Sequence, residues 1–322
     1  MSWVMVSKHD YGDQFYPVFV IGKALKAIGL GYDEAKKKPD QFWRGKNVLY
    51  HIIWNREYWE QWKDSLNRVA QHSNFLIIEF DADKHPCYWH KPSMGLGVPF
   101  ILNTLRDSTK YFIWEMDMKY NPFLRPVIRF PLKVYEKKWE ERWGNKDIDF
   151  FGFVGDKNFG LEPTLLLLQK LESEGYTVCP MVLRKNRQKF YDKHLDMKII
   201  SNAKKFTSES IERFNSLMLR SKVYIDLGYN LTTGRTVYDA LFRGTISVSS
   251  DHYGAQQLLF PEYAVDPLKV NMTKLYELAK RAHRSWSPET IEHYRQLGRT
   301  EGSVERLVRD LNEYINSNTG KG

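Results

Sequence analysis

Hydrophobic and polar positions along this chain fall into two regimes: short runs of β-branched and aromatic residues, and longer stretches with apolar residues at helical spacing. Buried strands interleaved with amphipathic helices are the pattern of a parallel sheet covered on both faces. Two such sets are visible. The first predicts strands over 3–7, 48–54, 75–80 and 111–116, with helices over 18–27, stopped by Gly29 and Gly31, and over 58–72. The second predicts strands over 147–154, 177–183, 222–227 and 245–249. Its first helix is strongly marked: Pro163 suits an early helical position, Leu165, Leu166, Leu167, Leu168 and Leu171 supply the apolar positions, and Gly175 ends it. Between the sets, Pro122, Pro126 and Pro131, followed by the charged stretch 133–146, break the periodicity and mark a linker. The fold class expected is therefore α/β with two Rossmann-like domains, 1–145 and 146–287, and a C-terminal helix over 288–316 that returns to complete the first domain.

Composition narrows the class. A length of 322 residues suits two domains of roughly 150 residues each. Hydrophobic residues at 42% and charged residues at 27% exclude collagenous and low-complexity chains. The first eight residues contain no apolar core of a signal peptide, and nowhere do 18 uncharged apolar residues run together, so a cytoplasmic, membrane-independent monomer is expected. Cys87 and Cys179 are too few for a disulfide framework, which fits a reducing compartment. Nine of the ten Trp residues precede residue 144, so the first half carries the aromatic core. Those interleaved with charge, as in Trp54-Asn-Arg-Glu-Tyr-Trp59, either pack on a helix or stack unpaired bases.

Charge changes the picture of partners. The net formal charge is +9, enough to attract a polyanion. Between Val182 and Phe206, eight basic residues (Arg184, Lys185, Arg187, Lys189, Lys193, Lys198, Lys204 and Lys205) face only Asp192 and Asp196, a local +6. This is either a solvated loop or a phosphate-facing surface.

Ligands of open parallel sheets sit beyond the carboxyl ends of the strands, so polar residues just after strands are the first candidates. Three segments qualify. In 111–122 an apolar strand delivers Asp117, a general base or an ordinary turn aspartate, with Glu115 deeper on the same face. In 150–160 a strand runs into Gly155-Asp156-Lys157, where backbone N–H groups, a helix start and a lysine suit a diphosphate, although the glycines could equally be turn residues. In 222–251 the order is strand, Thr/Gly loop, short helix carrying Asp239, glycine turn, strand. A cluster over 81–90 places Asp81, Asp83, His85, Cys87 and His90 close in sequence, but no second ligand pair at zinc spacing accompanies it, so no metal site is assigned.

The third segment resembles the donor half of GT-B glycosyltransferases, in which a carboxylate on the helix after such a loop holds the ribose hydroxyls of a sugar nucleotide; Asp239 occupies the matching place. Many retaining members carry two glutamates there, where this chain has Leu231 and Asp239. A closer likeness, in several segments in the same order, is to the T-even phage DNA β-glucosyltransferase family. Lys110-Tyr-Phe-Ile-Trp-Glu-Met-Asp117-Met-Lys-Tyr-Asn-Pro-Phe123 resembles its strand ending in the catalytic aspartate. Asn230-Leu-Thr-Thr-Gly-Arg-Thr-Val-Tyr-Asp239 resembles its ribose-binding loop and helix, Asp149-Phe-Phe-Gly-Phe-Val-Gly-Asp-Lys157 its phosphate loop, and Lys23-Ala-Leu-Lys-Ala-Ile-Gly-Leu30 its first helix. The family's paired phosphate arginines are represented here by Lys157, and its arginine near the ribose acid by the displaced Arg235.

The resemblance implies a GT-B fold, two Rossmann-like domains facing across a cleft, and a sugar nucleotide, UDP-glucose, as donor. It implies donor contacts from Gly155, Asp156, Lys157, Ser201, Gly234, Arg235 and Asp239. Asp117 would act as base on the hydroxyl of a 5-hydroxymethylpyrimidine in duplex DNA, with inversion at the anomeric carbon and extrusion of the base from the stack. Arg184, Lys185, Arg187, Lys189 and Lys119 would touch the DNA backbone, and the setting would be the cytoplasm of a phage-infected cell. A divalent cation is compatible with a diphosphate leaving group, but no residue pattern requires one. Two rival readings stand beside this one: a GT-B glycosyltransferase acting on a glycan or lipid, and a non-catalytic DNA-binding protein.

Overall fold

The computed structural model describes residues 2–8, 17–53, 56–81, 111–114, 145–154, 161–182, 200–201, 208–228, 234–251, 253–301 and 303–319. The chain forms two compact units, one comprising Met1–Val134 with Glu301–Gly322, the other Tyr135–Thr300.

The first unit is built on a parallel sheet. In chain order it contains β1 (Ser2–Ser7), α1 (Pro17–Ala24), β2 (Ile28–Gly31), α2 (Tyr32–Lys37), α3 (Asp40–Trp43), β3 (Lys46–Ile53), α4 (Arg56–His72), β4 (Phe75–Asp81) and β5 (Tyr111–Trp114). The strand order is β2-β1-β3-β4-β5, with every pair parallel. Alternation along the strands divides the core in two. Val4, Val6, Val48, Tyr50, Ile52, Leu76 and Ile78 pack on one face with Trp43 of α3 and Trp62, Leu66 and Val69 of α4. Trp3, Leu49, Phe75 and Ile77 pack on the other with Ile21 of α1 and with Leu307, Leu311 and Ile315 of the last helix. A central strand apolar on both faces is what a doubly covered parallel sheet demands. Trp3, Trp43 and Trp62 are core residues, as expected of an aromatic core in the first half, while Trp54 and the Trp59 side chain, the pair read as packed or base-stacking, lie outside the described residues.

The second unit repeats the plan. It contains β6 (Ile148–Val154), α5 (Leu161–Ser173), β7 (Val178–Val182), β8 (Ile200–Ser201), α6 (Ser208–Arg220), β9 (Ser221–Asp226), α7 (Arg235–Phe242), β10 (Ile246–Ser250), α8 (Gly254–Leu259), β11 (Ala264–Val265), α9 (Met272–Ser285) and α10 (Pro288–Glu301). Its strands are ordered β11-β10-β9-β6-β7-β8, again all parallel. Leu165, Leu167, Leu168 and Leu171 of α5 are buried, while Leu166 is exposed. The approach of α5 is close: a Cβ on Gly152 of β6 would lie 2.4 Å from Leu168 Cδ1 and 3.1 Å from Thr164 Cγ2, so glycine lets this helix settle on the strand. Cys179 on β7 is buried, and burial pushes its thiol up to about 11, the character of a packing residue and not of a nucleophile.

Capping explains the helical tail. Asn271 Oδ1 accepts from the Lys274 N–H at 3.0 Å, Ser287 Oγ from Thr290 N–H at 3.1 Å, and Ser303 Oγ from Arg306 N–H at 3.1 Å, each three residues on. Where the sequence reading has one helix over 288–316, the chain therefore makes two, α10 and α11 (Val304–Thr319), with Ser303 starting the second. Gly29 and Gly31, read as helix stops, belong to strand β2, which pairs with β1 from Val4 to Ser7. In a short edge strand the missing side chains are tolerated, and Met5 lies over Gly29, its Cε 3.8 Å from where a Cβ would stand.

Candidate functional site

Strand order locates the site in the second unit. From β6 the chain moves to β7 and β8 on one side, then returns to the other side of β6 for β9, β10 and β11. The sheet's switch point is therefore between β6 and β9, and the crevice beyond their carboxyl ends is where open α/β sheets take ligands. Gly155, Asp156 and Lys157 follow β6 directly and lie outside the described residues, as do Asp117, Lys119, Arg184, Lys185, Arg187, Lys189 and the 82–90 part of the metal-like cluster.

The β9 side is described. β9 ends in Asp226, which is buried. Its carboxylate accepts hydrogen bonds from Tyr224 Oη at 3.1 Å, Tyr253 Oη at 3.1 Å and the Gly228 N–H at 3.2 Å, and the Thr236 side chain bonds it as well. Burial pushes this acid up to about 6, against the opposing pull of those donors. Further along, Gly234 stands at the N-cap of α7 with φ 72° and ψ 48°, a left-handed conformation that glycine adopts without strain. Glycine is required there twice over, because a Cβ would also meet Tyr253 Cβ at 2.7 Å.

As N-cap, Gly234 has no side chain to offer α7. The Val237 N–H is taken by the Gly234 carbonyl at 2.9 Å, which leaves the N–H groups of Arg235 and Thr236 and the positive end of the helix dipole as the features suited to an anion. The opposite end of the same helix is closed by cations. Lys146 Nζ donates to the Arg243 carbonyl at 2.6 Å and to Thr245 Oγ1 at 3.1 Å. Arg295, almost fully buried, donates to the carbonyls of Leu241 and Phe242, and Trp286 Nε1 donates to the Gly244 carbonyl at 2.8 Å. Burial, then the nearby Arg295 and Arg243 charges, bring the Lys146 ammonium down to about 7.

Asp239 is in the second turn of α7, buried and paired with Arg243, Oδ1 to Nη1 at 3.2 Å. A carboxylate has about four lone-pair positions. Such a group can accept from the paired hydroxyls of a diol.

The structure thus brings Gly234, Arg235 and Asp239 together on one short helix beside the β9 end. Ser201 is elsewhere: β8 is the edge strand, separated from β9 by β7 and β6, three strand spacings or roughly 14 Å away. Asp226, Tyr253 and Arg243 were missed by sequence reasoning. The rule that examines the last polar residue of a strand would have found Asp226, while Tyr253 and Arg243 gain their roles only through tertiary contact.

No family model matches the chain, and no curated protein sequence matches it. Solved structures do. The crystal structure of the UDP-forming α,α-trehalose-phosphate synthase from Burkholderia xenovorans in complex with glucose-6-phosphate matches at 9% identity, covering 84% of this chain and 73% of that one, with a TM-score of 0.54. A trehalose-6-phosphate synthase studied for glycosyl transfer with retention matches at 10% identity over 95% and 85% of the two chains, with a TM-score of 0.59. WaaG, a glycosyltransferase involved in lipopolysaccharide biosynthesis, matches at 10% identity over 97% and 99%, also at 0.59. At such identities the likeness establishes the fold: two Rossmann-like α/β domains of the GT-B class.

Proposed function

We propose that the chain is a glycosyltransferase that moves a sugar, glucose, from a UDP-sugar to the hydroxyl of a 5-hydroxymethylpyrimidine in duplex DNA. The observation that supports the donor half of this reading is the tie from the carboxyl end of β9 to the start of α7, through Asp226, Tyr253 and Gly234, with Asp239 one turn further along the helix. Asp239 is the acceptor for the ribose hydroxyls in this reading. The N–H groups of Arg235 and Thr236, together with Gly155, Asp156 and Lys157 after β6 and with the Arg235 side chain, receive the diphosphate.

The reaction follows from charge and geometry. Asp117, after β5, takes the proton of the attacking hydroxymethyl group. The oxygen forms its bond to the anomeric carbon as the bond to the β-phosphate oxygen breaks, and the electron pair leaves with UDP. Fixed dipoles and Lys157 stabilise the charge that gathers on the departing phosphate, an effect larger in a water-excluded site than in solution. One displacement inverts the centre. A base within a duplex has to leave its stack to be reached, at a cost of roughly a few kcal/mol. The net charge of +9, the run containing Arg184, Lys185, Arg187 and Lys189, and Lys119 supply salt-dependent affinity for the DNA backbone.

A second reading has a specific support: the solved neighbours are named for glucose-6-phosphate and for lipopolysaccharide, so a glycan or sugar phosphate is the alternative acceptor. Retention, named for one of them, is the alternative stereochemistry. Incubation of the protein with a panel of UDP-sugars and with hydroxymethylated and plain duplex DNA, read by nucleoside mass spectrometry, decides between them. A hexose mass gain on the hydroxymethylated base alone is expected. UDP release without DNA modification, restored by a glycan acceptor, would assign the second reading. No UDP release with any acceptor, alongside tight DNA binding, would leave a DNA-binding protein without transfer activity.

A further inference from the structure

The carboxylate of Asp226 connects segments that are distant in sequence. Oδ1 accepts from the Gly228 N–H at 3.2 Å, where the chain leaves β9, and from the hydroxyl of Tyr253 at 3.1 Å, between β10 and α8. Oδ2 accepts from Tyr224 Oη at 3.1 Å, within β9 itself. The side chain of Thr236, in the first turn of α7, joins the same carboxylate. Tyr253 in turn backs Gly234: a Cβ there would be 2.7 Å from Tyr253 Cβ and 3.2 Å from its Cγ. A single acid therefore ties the exit of β9, the first turn of α7 and the residue against which the α7 N-cap rests. Burying an acid is costly unless hydrogen bonds compensate, and here every compensating donor belongs to the framework of the candidate donor site.

We propose that Asp226 is a positioning residue for the donor: through Gly228, Thr236 and Tyr253 it holds the start of α7 in the geometry that receives the diphosphate of the sugar nucleotide. The inference rests on the donor reading above and assigns it a support that makes no contact with the donor. The two tyrosines separate this role from plain stability. Each places one hydroxyl on the same buried carboxylate, but only Tyr253 also packs against Gly234, whereas Tyr224, two residues away on the same strand, reaches α7 only through the Thr236 side chain.

Replacing Asp226 would strand buried donors, so the test deletes one hydroxyl at a time in the full chain, as Tyr253→Phe and Tyr224→Phe. Two readouts are compared: backbone hydrogen exchange over 235–238 without nucleotide, and the affinity for UDP by calorimetry. Tyr253→Phe should accelerate exchange over 235–238 and weaken UDP binding by about ten- to a hundredfold, the worth of one buried hydrogen bond to a charged group. Tyr224→Phe, which keeps the Tyr253–Gly234 support and loses only a bond shared with Thr236, should change both by less than a third as much on a logarithmic scale while lowering the unfolding midpoint comparably. Equal effects of the two substitutions, or no effect of Tyr253→Phe on exchange, would overturn the assignment. If the wild-type protein takes up no UDP, the donor reading falls and the positioning role falls with it, while the exchange comparison still reports whether the tether itself exists.

Discussion

Asp239 and Arg243 are one helical turn apart on α7 and pair within its buried face, with Oδ1 and Nη1 at 3.2 Å and side chains only 11% and 9% exposed. Arg243 Nη1 also donates to the Asp239 carbonyl at 3.0 Å, so the guanidinium is fixed by backbone and carboxylate together. Deleting one member of a buried pair leaves the other charge uncompensated, which costs about 3–5 kcal/mol. Asp239→Ala is expected to show a loss of that order in urea unfolding, while Asp239→Asn, which keeps an oxygen for Arg243, should lose less than half as much. Equal losses would mean that the negative charge alone carries the pair and that the oxygen kept by Asn contributes nothing.

Two glycines with positive φ separate backbone strain from crowding. Gly175 has φ 89° with nothing within 4 Å of an added Cβ, whereas Gly234 has φ 72° and a Cβ would meet Tyr253 at 2.7 Å. Gly175→Ala should cost about 1–2 kcal/mol, the penalty of a left-handed residue alone. Gly234→Ala should cost at least about 1 kcal/mol more, because Tyr253 is held through Asp226 and has little room to give. Thermal unfolding of both variants, analysed at one temperature, provides the comparison.

Asp226 makes the second unit sensitive to pH in a stated direction. Its acid is pushed up to about 6 in the folded chain, above the roughly 3.9 of an exposed aspartate. The folded state therefore binds the proton more tightly than the unfolded one. The stability that this supplies is complete below about pH 4 and is lost as pH rises through 6, by about 3 kcal/mol in all. Asp226→Asn has no such dependence, so its stability relative to wild type should improve by up to that amount between pH 4 and pH 7.5. Denaturant unfolding at the two pH values measures it, and a difference that does not change with pH would contradict the assignment.

His51, on β3 of the first unit, acts in the opposite sense. Burial lowers its imidazole to about 3, and the hydroxyl of Tyr32 donates to its backbone carbonyl at 2.6 Å within the core. The folded chain keeps this histidine neutral while the unfolded chain protonates it below about pH 6.5. Its contribution is complete above that pH and is lost as pH falls, by about 2 kcal/mol at pH 5. His51→Gln should flatten the acid limb of the unfolding curve by that amount, and an unchanged limb would show that the imidazole titrates in the folded protein.

Periodicity made the layered α/β plan readable in advance, because strands buried on both faces leave near-continuous apolar runs such as 48–53 and 75–80, and α5 keeps Leu165, Leu167, Leu168 and Leu171 on its buried side. β2 and β11 were not anticipated: four- and two-residue edge strands carry too few side chains for a period to register. The break between α10 and α11 was missed since it depends on a single capping serine inside a long amphipathic pattern. At the site, Gly234 and Asp239 could be singled out from loop and helix signals. The dependence of Gly234 on Tyr253, and of Tyr253 on Asp226, could not, since both links join residues 19 or more positions apart.

Calorimetric titration of UDP-glucose into the wild-type chain and into Asp239→Asn asks whether the second unit binds a nucleotide sugar through α7. One site per wild-type chain is expected, with binding at least about tenfold weaker in the variant, the loss of one charged hydrogen-bond acceptor for the ribose. Absence of binding to the wild-type chain, or equal affinity in the two proteins, would contradict donor binding through α7.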